Sequence, residues 1–393
     1  MDTKQRDKKY LGREGAAKPL VVAKSKGSYM YNDKGVKYID FFAGWCVGNV
    51  GWNVDDVIKQ IRKFDGPTYV TPTYYYKAWA ELAELLAQIA PGKLTKSFRA
   101  TGGTEAIEIA MQAAMSHTKR SKFISVEGSY HGHSIGAMSI GMSDFRKWYS
   151  NLLPDCYKIS APLDEAAARK VEKLLSKKDI AAFICEPIVC NLAVEIPTKK
   201  FFDIVQAACK KYGTVLVIDE VASGFGRTGK MFASEHYGLK PDIMTIAKGA
   251  TGGYGALGAT LMTPELAKSF EFDFSYYSTF GWTPINVEAT LANLRYLLKN
   301  KSKFLQNAQK LSKYFESRLR KMQFKIQPQI RVKGLAIGME FGQGEYPSGI
   351  IDKALEKGLL IANASGNNII MFPPLDISLK VAKEGLDIFE SCL

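Results

Sequence analysis

Thr214-Val215-Leu216-Val217-Ile218-Asp219-Glu220 is followed by a glycine-rich turn, Ser223-Gly224-Phe225-Gly226-Arg227-Thr228-Gly229-Lys230, and then by Ile243-Met244-Thr245-Ile246-Ala247-Lys248-Gly249. Each apolar run is short and rich in β-branched residues, the pattern of a strand buried on both faces. One run ends in the carboxylates Asp219 and Glu220, the other in Lys248. Open α/β sheets bind ligands outside the carboxyl ends of their strands, so Asp219 and Lys248 are expected in a ligand cleft.

A lysine in such a cleft can act as an amine nucleophile. Paired with a fixed aspartate, it suits pyridoxal phosphate chemistry, in which the carboxylate keeps the ring nitrogen protonated and the ring accepts electrons from a carbanion. The competing reading makes each a strand-end residue that caps a neighbouring helix.

Outward from this stretch, 393 residues are enough for one large domain with one or two smaller parts. No run of about 18 apolar residues suggests a membrane span. Met1 to Lys9 is charged and lacks the apolar centre of a secretory signal. Six cysteines, at positions 46, 156, 185, 190, 209 and 392, form no Cys-x-x-Cys pair, which fits free thiols in a reducing cytoplasmic setting. The net charge of +14 is spread over Lys8-Lys9, Lys177-Lys178, Lys199-Lys200 and Lys210-Lys211. It forms no stripe with interleaved aromatics, so no nucleic-acid partner is expected. A solvated basic surface favouring phosphorylated or carboxylate ligands is the simpler reading.

In chain order, residues 28–40 read as a hairpin around Asn32-Asp33-Lys34-Gly35. A helix is expected over 75–89. Thr101-Gly102-Gly103-Thr104-Glu105-Ala106 opens another, to about His117, whose first amides could receive an anion or simply start a helix. The strand 122–126 leads into Gly128-Ser129-Tyr130-His131-Gly132-His133, and the run 180–188 reads as a buried strand ending in the carboxylate Glu186, followed by Pro187. Only four histidines occur, and none has an acidic partner at metal-binding spacing, so no metal is expected. After Lys248 the loop Gly252-Gly253-Tyr254-Gly255 is not a dinucleotide fingerprint, and it precedes the strand 259–262. Helices over 287–298 and 304–322 introduce an α+β ending.

These motifs, in this order over nearly the whole chain, resemble the class III aminotransferases of the fold-type I pyridoxal phosphate family. The carriers are Gly102-Gly103-Thr104-Glu105-Ala106, Tyr130-His131-Gly132, Glu186-Pro187, Asp219-Glu220-Val221, the glycine-rich turn, Ala247-Lys248-Gly249 and Thr279-Phe280-Gly281. The resemblance implies an α/β fold, with a mostly parallel seven-stranded sheet flanked by helices and a smaller α+β domain from both chain ends. Residues 1–60 would join that small domain, 61–285 would form the large cofactor-binding domain, and 286–393 the C-terminal part. Lys248 and Asp219 would be catalytic. Gly103 and Thr104 would hold the cofactor phosphate, together with Thr279 of a neighbouring subunit, which requires a homodimer with shared active sites. Tyr130 would stack on one ring face and Val221 on the other, Glu186 would lie near the ring hydroxyl, and His131 would support by hydrogen bonding.

The implied reaction moves an amino group from an amine or ω-amino donor to a keto acid by a ping-pong route, through a Schiff base on Lys248. A racemase, epimerase or aminomutase would use the same residues, although the glycine-rich turn fits an aminotransferase better. A nucleotide-binding oxidoreductase or a non-catalytic binding protein is the more distant alternative. The segment Phe41 to Trp52 is most similar to the ω-transaminase branch and would bring Trp45 to the substrate pocket, unless Trp45 is plain core. At the position where many relatives carry a carboxylate-binding arginine stands Met371, and residues 361–368 contain no arginine. Methionine cannot make the paired hydrogen bonds of a guanidinium. The donor amine is therefore expected to be remote from any carboxylate, unless Arg99, Arg227 or a residue of a neighbouring chain replaces the missing anchor.

Overall fold

The computed structural model describes residues 1–393 except Glu14, Ala16, Asp273, Phe274 and Gln343. Near the N-terminus, strands β1 (Val22–Lys26), β2 (Tyr29–Asn32) and β3 (Lys37–Asp40) form an antiparallel ribbon. The β2–β3 pairing is the expected hairpin, its turn held by the Asn32 side chain, which accepts the Lys34 and Val36 amides. The helix expected from Tyr75 starts at Lys77, because Tyr76 keeps an extended backbone.

Seven strands make the central sheet: β4 (Lys96–Ala100), β5 (Lys122–Val126), β6 (Cys156–Ile159), β7 (Ile180–Cys185), β8 (Val215–Asp219), β9 (Ile243–Ile246) and β10 (Gly258–Met262). Their spatial order is β4-β10-β9-β8-β7-β5-β6, and β10 is the one antiparallel member. Every residue of β7 to β10 is buried, as the unalternating apolar runs require. Within β8 the side chains still divide by face. Val215 and Val217 pack towards the helix Gly103–Thr118, whose small Ala106, Ala110, Ala113 and Ala114 let it lie close. Leu216 and Ile218 pack towards the helices Glu165–Leu175 and Lys199–Tyr212.

The C-terminal part adds the long helices Pro284–Lys299 and Lys301–Leu319. The first begins three residues earlier than its apolar pattern suggests, because Pro284 is preset for a first turn. The apolar run near 331–341 folds back on itself as β11 (Gln329–Lys333) and β12 (Ala336–Glu340), turning at Gly334 with φ 61°. A short β13 (Leu359–Leu360) joins β3 in parallel, and β14 (Asn368–Met371) pairs with β12. Ile39 and Phe41 thus share a core with Ile337, Leu386 and Phe389 from the other end of the chain.

One position measures how tightly the two ends fit. A Cβ on Gly385, in the helix Leu379–Glu390, would lie 2.2 Å from Phe41 Cζ. Gly385→Ala is expected to lose about 1–3 kcal/mol to overpacking, offset by at most about 1 kcal/mol of helix propensity. A lower midpoint in chemical denaturation is the expected result, and a raised one would show that the contact yields freely.

Candidate active site

Strands β4, β5, β7, β8 and β9 all point their carboxyl ends at one cavity of about 210 Å³. Asp219 closes β8 and is buried. Its Oδ1 accepts hydrogen bonds from Thr245 Oγ1 and the Val221 amide, each 3.0 Å, and its Oδ2 accepts from His131 Nδ1 at 2.7 Å. Thr245 is delivered by strand register, being the β9 residue directly beside Asp219. Three donors therefore fix the carboxylate in one orientation.

Glu186 follows β7, and its Oε2 accepts the Cys190 amide at 3.2 Å. Burial, reinforced by the negative charge of Asp219, holds the Glu186 carboxyl well above the usual carboxylate range. Its Oε1 and His131 Nε2 are both buried without a partner. Unpartnered buried polar atoms are rare in proteins, and two on the wall of one cavity mark the place of a polar ligand.

An anion cradle adjoins them. The helix Gly103–Thr118 begins at the cavity, its N-cap Gly102 offers no side-chain cap, and its first amides are therefore available. Gly103 backs onto Val221, where a Cβ would lie 3.1 Å from Val221 Cγ1. Gly132 has φ 130°, and a Cβ there would lie 2.3 Å from Thr104 Oγ1. Glycine at this point lets the loop after β5 rest on Thr104. Lys248 leaves β9 in a left-handed conformation, φ 39°, pinned by the Thr251 and Gly252 amides on its carbonyl. Such a conformation costs a non-glycine residue about 1–2 kcal/mol.

The opposite wall is a second strained element. Ala43, Gly44, Trp45 and Cys46 all have positive φ, from 48° to 68°. Asp40 holds this left-handed turn, accepting the Phe42 and Ala43 amides at 2.8 Å and Trp52 Nε1 at 2.7 Å. The turn brings Trp45 and Cys46 to the cavity, facing Tyr130, Cys190, Asn191 and Phe372. Tyr130 is half-exposed, its hydroxyl 3.0 Å from His133 Nδ1.

Lys248, Asp219, Gly103, Thr104, Tyr130, His131, Glu186, Val221 and Trp45 thus converge on the cavity. Met371 does not, and Thr279 is expected at the site of a neighbouring subunit. Thr279 is exposed on the surface, away from the cavity of its own chain. Met371 is fully buried in the core, because alternation along β14 turns it away while Phe372 faces the cavity. Neither suggested replacement anchor is free. Arg227 is fully buried and donates to the Leu335 and Pro373 carbonyls, at 3.1 and 2.5 Å, and to Asn49 Oδ1 at 2.6 Å. Arg99 stacks on Trp79 at 4.1 Å. Thr245 was accessible to sequence reasoning through the pairing of the two signature strands. Cys190, Asn191 and Phe372 were not, since they reach the cavity through loops and strand facing that no motif marks, while Cys46 lies in the marked segment 41–52 without being singled out.

The sequence model of the aminotransferase class-III family matches residues 10–393. The chain belongs to the class-III aminotransferases. This aminotransferase is 33% identical to an acetylornithine aminotransferase of Methanosarcina mazei, over 98% of this chain and 94% of that protein. It is 31% identical to a leucine/methionine racemase of Thermococcus litoralis, over 95% and 90%. Among solved structures, the adenosylmethionine-8-amino-7-oxononanoate aminotransferase from Methanocaldococcus jannaschii superposes with a TM-score of 0.91 at 30% identity, covering 99% of this chain and 98% of that one. The aminotransferase has the fold-type I architecture and uses pyridoxal phosphate. The amide cradle suits the phosphate, and the two unpartnered polar atoms suit the substituents of a polar ring. Among the described residues, no helix is long and apolar enough to cross a membrane.

The close approach at Gly132 tests the cradle. Gly132→Ala adds a side chain both against Thr104 and at positive φ, a strain of about 1–3 kcal/mol. Cofactor affinity, measured by absorbance titration, is expected to fall about 10- to 100-fold with the circular dichroism spectrum retained. Unchanged affinity would remove Thr104 and its loop from the phosphate site.

Proposed function

We propose that this aminotransferase takes its amino group from a donor whose reacting amine is remote from any carboxylate, and that Lys248 and Asp219 are its catalytic pair. The observation that carries the donor class is the charge of the cavity wall. Lys248 is the one lysine or arginine among the described lining residues, and the rest of the donor side is Trp45, Tyr130, Asn191, Phe372 and two cysteines. A carboxylate beside the amine would find no guanidinium among these side chains of its own chain.

Bound pyridoxal phosphate supplies an electron sink and carries the amino group between the two half-reactions. Lys248 Nζ would hold the cofactor, and its amine would take the proton from the donor carbon that bears the amino group. Asp219, oriented by Thr245, Val221 and His131, keeps the ring nitrogen protonated. Glu186 would lie on the ring-hydroxyl side. Gly103 and Thr104 take the phosphate, while Tyr130 and Val221 cover the two ring faces. The exposed Thr279 lies between exposed Tyr277 and Phe280, which supports a homodimer in which Thr279 completes the neighbouring site. On this reading residues 61–285 form the cofactor domain, with 1–60 and 286–393 building the smaller one. Free buried thiols support a reducing cytoplasmic setting.

A racemase reading has one observation in its favour, the likeness to the leucine/methionine racemase. Mixing enzyme with donor and no keto acid separates the two, because only a transaminase leaves the cofactor in its amine form. Lys248→Ala is expected to abolish turnover with the fold intact, and borohydride should no longer fix cofactor to the chain. Persistent labelling would assign the role to another lysine. For the donor, half-reaction rates should be compared between matched α-amino acids and ω- or terminal amines. An unpaired carboxylate forgoes about 1.5–3 kcal/mol, so the α-amino acids should react about 10- to 150-fold more slowly. Faster reaction with α-amino acids would overturn the donor assignment.

A further inference from the structure

The loop after β5 is tied down on both sides of Tyr130. Ahead of it, Ser129 Oγ donates to the Val126 carbonyl at 2.7 Å, and Asn191 Nδ2 donates to the Gly128 carbonyl at 2.8 Å. Behind it, His131 turns inward to Asp219 and Gly132 rests on Thr104. Ser134 then caps the helix Ile135–Ile140 and donates to Glu108 Oε1, on the helix that opens the anion cradle. These contacts fix the backbone, but none of them reaches the Tyr130 ring.

The ring is half-exposed. Among the described residues its side chain makes one hydrogen bond and one aromatic contact, and both go to His133. The hydroxyl lies 3.0 Å from His133 Nδ1, and the ring centroids are 5.6 Å apart. His133 is in turn seated on Phe145, with centroids 5.0 Å apart and ring planes at 76°, the favoured edge-to-face arrangement. Phe145 is buried against Met138 and Leu152. With the phenol donating, Nδ1 accepts and the imidazole hydrogen sits on Nε2.

An exposed hydrogen bond competes with water and by itself holds a ring weakly. Here the acceptor is no second mobile side chain. Its backbone lies between the ties at His131 and Ser134, and its ring is backed by a buried phenylalanine. A tyrosine that must be ordered at the moment of binding subtracts that ordering from the affinity, whereas one held beforehand does not.

We propose that His133 is the positioning residue for Tyr130, holding its ring over the cofactor site before the cofactor arrives. The inference rests on the reading of Tyr130 as the residue that covers one ring face. Tyr130 lines the cavity and His133 lies outside its described lining, so His133 acts through Tyr130.

The test titrates the full-length protein with pyridoxal phosphate by absorbance and records the circular dichroism of the bound cofactor's visible band. Tyr130→Phe keeps the ring and loses the hydroxyl, while His133→Ala removes the post. Each should weaken cofactor affinity about 3- to 10-fold, the ratio expected for one neutral hydrogen bond, and reduce the dichroic band. The double variant should be no weaker than the worse single one, because both changes remove the same interaction. His133→Asn places an acceptor oxygen where Nδ1 stood and should recover most of the affinity lost in His133→Ala. A His133→Ala loss that persists in full in the Tyr130→Phe background would overturn the proposal, since His133 would then act by another route. So would unchanged affinity and dichroism in His133→Ala while Tyr130→Ala weakens binding, and that result would leave the stacking role of Tyr130 standing. No change in Tyr130→Ala would overturn both. If no His133 variant folds, Tyr130→Phe decides alone, because full affinity and an unaltered band there would show that the hydroxyl holds nothing.

Discussion

A guanidinium with no exposed surface sits where three distant parts of the chain meet, and the arrangement of the site rests on it. Arg227 comes from the glycine-rich turn, yet its donors go to Asn49 near the N-terminus and to Leu335 and Pro373 near the C-terminus. Withdrawing an arginine from water costs several kcal/mol, recovered only when its hydrogen bonds are well made. The three acceptors must therefore arrive together. Asn49 does so by also donating to the Phe225 carbonyl at 2.6 Å, which makes it a reciprocal clasp. The Phe372 ring, 5.9 Å from the guanidinium, is fixed as cavity wall by the same node.

Strain is distributed around this node rather than through the sheet. The strands are regular, whereas the left-handed turn at 43–46, the loop at 193–194 and Lys248 depart from ordinary backbone. Two of the three are matched by a specific hold: the Asp40 carboxylate for the turn, and paired amides on the carbonyl for Lys248. The rigid sheet supplies positions for Asp219 and Thr245, and the strained connections supply the side chains that complete the cavity.

Much of this was legible in the sequence because strands buried on both faces leave apolar runs whose ends are easy to locate. Asp219, Glu186 and Lys248 follow from those ends, and Gly103, Thr104, Tyr130 and His131 from the motifs beside them. Met371 shows where the reading stops. All four residues of β14 are buried, so no polar alternation distinguishes the cavity face from the core face, and the assignment fell on the wrong side of the strand. The segment 41–52 brings Trp45 and Cys46 to the cavity wall. Its left-handed path depends on Asp40 accepting two amides and an indole, a tertiary arrangement that local spacing does not encode.

The side chains of the cavity follow β4, β5, β7, β8 and β9 or come from the turn at 43–46 and from Phe372, segments far apart in the chain that do not assemble from any single local unit. No fragment of this chain can own part of the site. Contacts so distant along the sequence form late and slowly, since the loops between them must close first. The cavity is therefore a readout of completed folding, and a molecule that recognises it recognises only chains whose whole sheet is in order. Such a ligand draws the population towards that state by mass action. For a cell, the abundance of the cofactor would then act as a term in the survival of the newly made polypeptide, before any turnover begins.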